Sequence, residues 1–286
     1  MNPQRTAILV DSCMDVPQEY IKRFNMYVVP VRVIYRDTEY ADRVDITPQE
    51  VYDRLPIEVP KTSLPDTGSV VQTFESIVEA GYERVLCITI SSALSGTNSL
   101  VNLVARDYPQ LEIRVIDTLN IGIAAGFQAI LAGQLLEAGE WLHGIAEKIE
   151  ASIKETKVFF CVSTLEYLAR GGRIGKVSAM LGSLLSIKPI ITCNAEGAYV
   201  VAAKVRGRAR AIAETIAISV REAKKHAKYL LAIADGDAHE EARYVMAELK
   251  RLLPDCGEII VSDVSPALVV HTGPGLIGIG VQALPV

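Results

Sequence analysis

Residues 85–97 read VLCITISSALSGT, an apolar run that passes into a turn of serines and a glycine. The run from Val85 to Ile90 is almost continuously apolar, which is typical of a strand buried on both faces of a parallel sheet. A helix-like pattern follows from Gly96 to Ala105. The segment therefore predicts a strand, a polar turn and a helix in succession.

The same alternation extends on both sides of this segment. Further strands are predicted at Ala7–Val10, Tyr27–Ile34 and Ile113–Ile116, and further helices at Pro17–Phe24, Pro48–Leu55, Ser69–Ala80 and Gly122–Glu137. Residues 121–138 are the richest apolar stretch, but glycines and polar residues keep it short of the roughly 20 uninterrupted apolar residues of a membrane span. It predicts a buried helix. The first half of the chain is thus expected to be a parallel-sheet α/β/α domain.

The pattern changes after a predicted helix at Gly139–Glu155. Strands are predicted at Val158–Val162, Lys188–Cys193, Ala198–Lys204, Tyr229–Ala234, Glu258–Val261 and Leu276–Val281, and helices at Leu165–Leu168, Ala209–Lys225 and Ala238–Leu252. Asn194–Gly197 is a hairpin signature. Hairpin and helices together predict an α+β domain with a mixed sheet. We expect two domains, residues 1–155 and 156–286, with a ligand between them.

Composition excludes several classes of protein. The chain has 286 residues, 50% of them apolar and 22% charged, which is typical of an ordered globular protein. Its net charge of −5 argues against a nucleic-acid binder. Five widely spaced cysteines form neither a disulfide framework nor a zinc pattern. With no signal-peptide pattern in residues 1–6, we expect a cytoplasmic protein without an integral membrane segment.

Three polar segments follow predicted strands, where ligands of parallel sheets bind, and a fourth polar loop precedes a predicted helix. They are residues 11–12, 61–65, 91–96 and 117–118. The serines of residues 91–97 and the free N–H groups of a helix start suit a phosphate or a carboxylate. A helix that is merely capped is the alternative. Thr62 and Ser63 offer a similar set of hydroxyls, and Thr67 is the expected cap of the next helix.

The remaining candidates are one histidine and three arginines. His271 stands before a Gly-Pro-Gly turn, where it can donate to an anion or simply end a strand. Arg170 and Arg173 flank two glycines, and Arg206 lies in a second basic cluster. Guanidinium groups suit a carboxylate or an acidic partner. The alternatives are a helix end with favoured cations and a solvated basic face.

No recognisable catalytic or metal-binding pattern is present. Cys13 has no histidine at a telling distance, and Asp235 to His239 is interpreted as the acidic start of a helix. Neither a dinucleotide-binding nor a phosphate-binding glycine loop occurs. We expect neither a catalytic residue, nor a metal, nor a cofactor.

Taken together, these segments resemble the DegV family, and in the family's order. The matching residues are Asp11, Ser12 and Asp15; residues 62–65; residues 91–97; residues 117–118; residues 165–174; residues 188–190; Arg206; and His271 with residues 273–275. The resemblance covers about residues 4–283. Departures are Asp66, where a serine is common, and Thr118 in place of a serine; we expect the loop to turn Asp66 outward.

The resemblance implies a non-catalytic protein that binds a long-chain fatty acid between its two domains. Its carboxylate is expected on Thr62, Ser95 and His271, and its tail in an apolar tunnel. Further ligand or partner contacts are expected at Ser63, Gly96, Arg170, Arg173 and Arg206. The family also implies lipid transport or presentation of the ligand to a fatty acid kinase, and a transient contact with a membrane.

Two other functions remain open on the residues alone. The hydroxyl-rich turns suit a small-molecule phosphotransferase or hydrolase, which would need a polar pocket. The arginine clusters suit a scaffold protein, which would carry no ligand. Bound lipid distinguishes the fatty-acid-binding hypothesis from both.

Overall fold

The structure, a computed structural model, describes residues 2–180 and 186–284. Its strands are β1 (Thr6–Asp11), β2 (Tyr27–Val29), β3 (Arg32–Ile34), β4 (Glu39–Ala41), β5 (Lys61–Ser63), β6 (Arg84–Thr89), β7 (Glu112–Asp117), β8 (Thr156–Cys161), β9 (Ile187–Cys193), β10 (Tyr199–Arg206), β11 (Tyr229–Gly236), β12 (Ile259–Asp263) and β13 (Leu276–Ala283).

The helices are α1 (Gln18–Arg23), α2 (Pro48–Arg54), α3 (Thr67–Glu79), α4 (Thr97–Ala105), α5 (Gly122–Glu137), α6 (Leu142–Lys154), α7 (Glu166–Arg170), α8 (Arg208–Ala223), α9 (His239–Leu252) and α10 (Pro266–Thr272). Short 3₁₀ helices cover Ser12–Met14 and Gly175–Met180. Within the described ranges, no helix has both the length and the apolar character needed to cross a membrane.

The first half of the chain contains the predicted parallel sheet. Its four strands lie in the order β2-β1-β6-β7, and every neighbouring pair is parallel. The single strand predicted at Tyr27–Ile34 is wrong. It is two strands in different sheets, because Pro30 lacks an N–H and cannot continue the ladder.

Strand β3 belongs instead to a small antiparallel sheet in the order β4-β3-β5. Residues 61–65 were expected to be a loop, but Lys61–Ser63 is the edge strand β5. Its partner β3 lies about 30 residues earlier, and this distant pairing leaves no local sequence signal.

The second half contains a mixed sheet of six strands in the order β10-β9-β8-β13-β11-β12. Only β11 and β12 pair in parallel, and the predicted hairpin is the antiparallel pair β9 and β10. The predicted combination of a parallel sheet and a mixed sheet is confirmed.

Helix α5 is the element that joins the two halves. It packs against β1 and β6 of the parallel sheet and against β8, β11 and β13 of the mixed sheet. All but three of its residues are buried. A helix that is apolar on every side needs such an environment. Because this core continues across residue 155, the division into domains there stays a prediction.

Two helix starts differ from expectation. Helix α3 is capped by Asp66, whose carboxylate accepts from the N–H of Ser69 at 3.0 Å, and not by Thr67. Asp66 is exposed, so the expected outward turn is present and serves the helix start. Helix α6 begins at Leu142, three residues after the predicted start.

Helix α10 was not predicted. Its apolar run is short, and Pro266 opens it at a position where proline is favoured. The helix packs against α2, α7, β3 and β5, so it brings the second half of the chain onto the small sheet of the first half.

Candidate functional site

A cavity lies where the turn after β6, strand β5 and helix α10 meet, and its empty space of about 540 Å³ includes open solvent. Five of the predicted site residues line it: Thr62, Ser63, Ser95, Arg173 and His271. They come from segments as far apart as residues 62 and 271. The fold therefore assembles one polar site from pieces of both halves.

The side chains of Thr62 and His271 form a direct hydrogen bond. The Thr62 hydroxyl lies 2.8 Å from Nε2 of His271. Thr62 stands opposite Val33 on the edge strand, and α10 packs against that strand. The contact needs both elements in place, which is why neither side chain alone could indicate it.

His271 is buried in the last turn of α10. Burial lowers its pKa to about 4, and the positive charge of Arg173 adds to this effect. The imidazole is therefore neutral near pH 7 and carries one N–H. If Nε2 holds that hydrogen and donates it to Thr62, the threonine hydroxyl is free to donate to an anion in the cavity.

Gly171 and Gly172 are adjacent in the arginine segment, and the close approach of His271 explains why the first of them is a glycine. A Cβ built on Gly171 would lie 2.0 Å from Nδ1 of His271, far inside van der Waals contact. Only glycine allows this approach of α7's end to the imidazole. Nδ1 has no hydrogen-bond partner among the described residues. The absence of a side chain at Gly171 thus serves close packing against His271.

Ser95 lies in the turn before α4. Its hydroxyl is 2.9 Å from that of Thr97 and accepts from the N–H of Thr97 at 3.3 Å. Gly96 is the residue before the helix, and a Cβ there would lie 3.1 Å from Leu64. The glycine therefore lets the β5 segment close over the turn, beside Ser95.

Two carboxylates accept hydrogen bonds from backbone N–H groups in and around the turn after β6. Asp117 accepts from the N–H of Ser92 at 3.1 Å and of Leu119 at 3.0 Å. Asp11 accepts from the N–H of Ile90 at 2.8 Å and of Cys13 at 2.9 Å. These two predicted polar segments position the site rather than contact its space, since neither carboxylate lines the cavity.

The three arginines separate into different environments. Arg173 lines the cavity, and its guanidinium donates hydrogen bonds to the carbonyls of Gly171 at 2.8 Å and Leu94 at 3.5 Å. Arg170 pairs with Glu166 at 2.6 Å on the exposed face of α7, and Arg206 is exposed on the edge strand β10. Only Arg173 is within reach of a cavity ligand.

A second cavity adjoins the first, and its empty space of about 410 Å³ likewise includes open solvent. The two share Ile121, Tyr199, Leu268 and Thr272 in their linings. The second is bounded mainly by apolar residues, among them Ile123, Val158, Phe160, Val264 and Leu276. A polar end and an apolar extension of this volume suit an amphipathic small molecule. Sequence reasoning missed Tyr199 and Leu268, which line both cavities.

The thiol of Cys13 is not activated as a nucleophile. Cys13 borders the first cavity, but burial and the neighbouring carboxylates raise the pKa of its thiol well above the ordinary value. A protonated thiol is a poor nucleophile. Among residues 2–180 and 186–284, no group of three or more side chains of the metal-binding types is gathered into a cation site.

Comparison with known proteins identifies the family. Residues 5–284 match the family model for the uncharacterised proteins of the DegV family. A DegV domain-containing protein of Clostridium acetobutylicum is 38% identical over 96% of this chain and 98% of its own length. The chain belongs to the DegV family.

Solved structures of relatives share the whole fold. The fatty-acid-binding DegV family protein of Thermus thermophilus has a TM-score of 0.91, 29% identity and coverage of 99% of this chain and 100% of its own. A stearic-acid-binding protein of Eubacterium ventriosum has a TM-score of 0.89, 30% identity and coverage of 97% and 98%.

Proposed function

We propose that this member of the DegV family binds a long-chain fatty acid and does no chemistry on it. The carboxylate lies among Thr62, Ser95 and His271, and the tail extends into the apolar cavity. The observation that carries this proposal is the bonded Thr62–His271 pair at the polar end of a cavity that continues into an apolar one. The fatty-acid-binding relatives support it.

The energetics of the two cavities favour such a ligand. A C16 acid carries about 14 methylenes, and their burial at about 0.8 kcal/mol each contributes about 11 kcal/mol before the cost of association. The carboxylate then requires fixed donors, because an unpaired buried charge would cancel much of this gain. Hydroxyl groups of Thr62 and Ser95 are short and need little ordering.

Isothermal titration with palmitate and with palmityl alcohol tests the proposal. A hydrogen bond to a charged group contributes about 1.5–3 kcal/mol. Thr62→Val and Ser95→Ala should therefore each weaken palmitate binding roughly tenfold to a hundredfold. The alcohol should bind wild type less well and respond little to either change.

Thr67→Val is the matched control, because this hydroxyl is exposed at the start of α3. It should bind palmitate as wild type does. Equal losses for acid and alcohol would show that the hydroxyls only shape the turn. Absence of any palmitate binding by the delipidated protein would contradict the proposal itself.

The same proposal extends to a partner. A carboxylate that is bound but not modified can be presented to a separate ATP-using kinase, as the family resemblance implies. The exposed Arg206 is available for an acidic partner surface, whereas Arg173 borders the cavity. Purified alone with ATP and palmitate, the protein should form no acyl phosphate. Arg206→Ala should leave palmitate binding unchanged and weaken acyl-phosphate formation once a fatty acid kinase is added.

A further inference from the structure

Tyr199 places a polar group where the two cavities join. It is the first residue of β10, is 95% buried, and lines both cavities. Its ring packs edge-on against Phe160, with centroids 5.3 Å apart. Throughout residues 2–180 and 186–284, nothing forms a hydrogen bond with its hydroxyl. A phenylalanine would provide the same apolar wall, so packing leaves the hydroxyl unexplained.

Asp15 is a second polar group on the wall of the apolar cavity. Its Oδ1 accepts from Arg43 at 3.1 Å and from the N–H of Ser265 at 3.0 Å. Oδ2 accepts no hydrogen bond from any residue that the structure describes. It lies beside Gly122, where an added Cβ would approach it to 3.2 Å. The carboxylate thus has one committed oxygen and one available oxygen.

The two groups line the same apolar cavity. The negative charge of Asp15 is one cause of the raised pKa of Tyr199, after burial and two cysteines. Tyr199 therefore remains a neutral O–H donor. A purely apolar tail between them would leave a donor and an acceptor buried without partners, and each unsatisfied group costs about 1–3 kcal/mol.

A hydroxyl satisfies both groups at once. It accepts from the Tyr199 O–H and donates its own hydrogen to a carboxylate oxygen. A keto or epoxide oxygen can only accept, so it would leave Asp15 unpaired. Apart from Thr272, whose hydroxyl donates to the carbonyl of Leu268, the other residues lining this cavity are apolar, which requires that the remainder of the chain be hydrocarbon.

We propose that the tail cavity selects a long-chain fatty acid with a hydroxyl group near the middle of its chain, bound between Tyr199 and Asp15. This inference rests on the proposed fatty acid binding and specifies the class of ligand. Mid-chain substitution follows from the position of Tyr199, which borders both the head-group cavity and the tail cavity.

Titration of the delipidated protein with stearate, 10-hydroxystearate and 12-hydroxystearate tests the inference. At least one hydroxystearate should bind wild type roughly tenfold more tightly than stearate, a difference of about 1.4 kcal/mol. Tyr199→Phe keeps the ring and removes only the hydroxyl. It should abolish this preference while stearate binds as well as before or better.

Tyr52→Phe is the matched control, since the Tyr52 hydroxyl is also buried and unpartnered but borders neither cavity. It should keep the wild-type preference. Stearate binding without a preference for either hydroxystearate, or a preference that survives Tyr199→Phe, would overturn the inference and leave the proposed function intact. Failure to bind any of the three acids would instead contradict the proposed function.

Discussion

At the scale of single residues, the site depends on a histidine that is kept neutral. Burial favours the uncharged imidazole of His271, and Arg173 on the cavity wall acts in the same direction. A neutral histidine has one N–H to give, and Thr62 lies in position to accept it. When the imidazole N–H donates to the Thr62 hydroxyl, that hydroxyl can donate to a ligand in the cavity. No positive charge is then buried at this position.

This arrangement predicts how the pKa of His271 responds to the ligand. In the free protein its pKa is about 4, so the imidazole should not titrate between pH 5 and pH 8. A bound carboxylate favours the charged form and should raise that pKa. By linkage, palmitate should then bind more tightly as the pH falls through this window.

Histidine NMR titrations of the free protein, the palmitate complex and the palmityl alcohol complex measure the effect. His271→Gln identifies the signal among the four histidines. The alcohol carries no charge and should leave the pKa near its value in the free protein. An unchanged pKa in the palmitate complex would place the carboxylate elsewhere.

At the scale of elements, the local sequence pattern predicted most of the helices and strands but few of the contacts in the site. The length and apolar richness of residues 122–137 predicted α5 at its observed bounds, because helix propensity and burial agree along this stretch. Thr62, Ser95 and His271 were expected to act together only through the family resemblance. Their contact depends on β5 and α10, whose formation requires partners far along the chain. Non-local pairing of short elements leaves no periodic signal for a single sequence to show.

Helix α5 supports a prediction about packing between the halves. A Cβ on Gly126 would lie 2.5 Å from the backbone oxygen of Met14 and 3.3 Å from Val16. The backbone cannot yield easily, so Gly126→Ala should push α5 away from the turn after β1. We expect a loss of about 1–3 kcal/mol in the free energy of unfolding, measured by urea denaturation.

Gly144→Ala in α6 is the matched control with the opposite sign. There the nearest atoms belong to the side chain of Glu140, which can move. Replacement of a helical glycine should raise the free energy of unfolding by up to about 1 kcal/mol. If Gly126→Ala were as stable as wild type, the close contact between α5 and the turn at Met14 would not contribute to stability.

At the scale of the whole molecule, a group of charges joins the two halves beside the tail cavity. Arg43 donates to the Asp15 carboxylate at 3.1 Å and to the carbonyl of Asp263 at 2.5 Å. Ser262 donates to the backbone oxygen of Asp15 at 2.6 Å. Asp42 accepts from the N–H of Ala267 at the start of α10. The junction therefore contains buried carboxylates and one partly exposed cation.

Burial dominates the ionisation of this group. It raises the pKa of Asp15 from 3.8 to about 6, although Arg43 opposes the rise. Burial likewise raises the pKa of Asp11 to about 7 and that of Asp42 above its usual range. A carboxyl with a raised pKa in the folded state stabilises the fold when it is protonated. That stability is fully present below about pH 4 and is lost as the pH rises through 6.

Removal of the cation should therefore destabilise the protein in a pH-dependent way. Arg43→Met leaves the Asp15 carboxylate buried without its opposite charge, a change that costs about 3–5 kcal/mol when the group is ionised. Without Arg43 the pKa of Asp15 rises further, so at pH 5 the carboxyl is protonated and the loss shrinks. Urea denaturation at pH 5 and pH 8 measures both values.

Arg221→Met removes an exposed partner of Glu214 and should cost at most about 1 kcal/mol at either pH. A deficit for Arg43→Met that was equally large at pH 5 and pH 8 would show that the guanidinium acts through packing and its bond to Asp263, and not through the charge of Asp15.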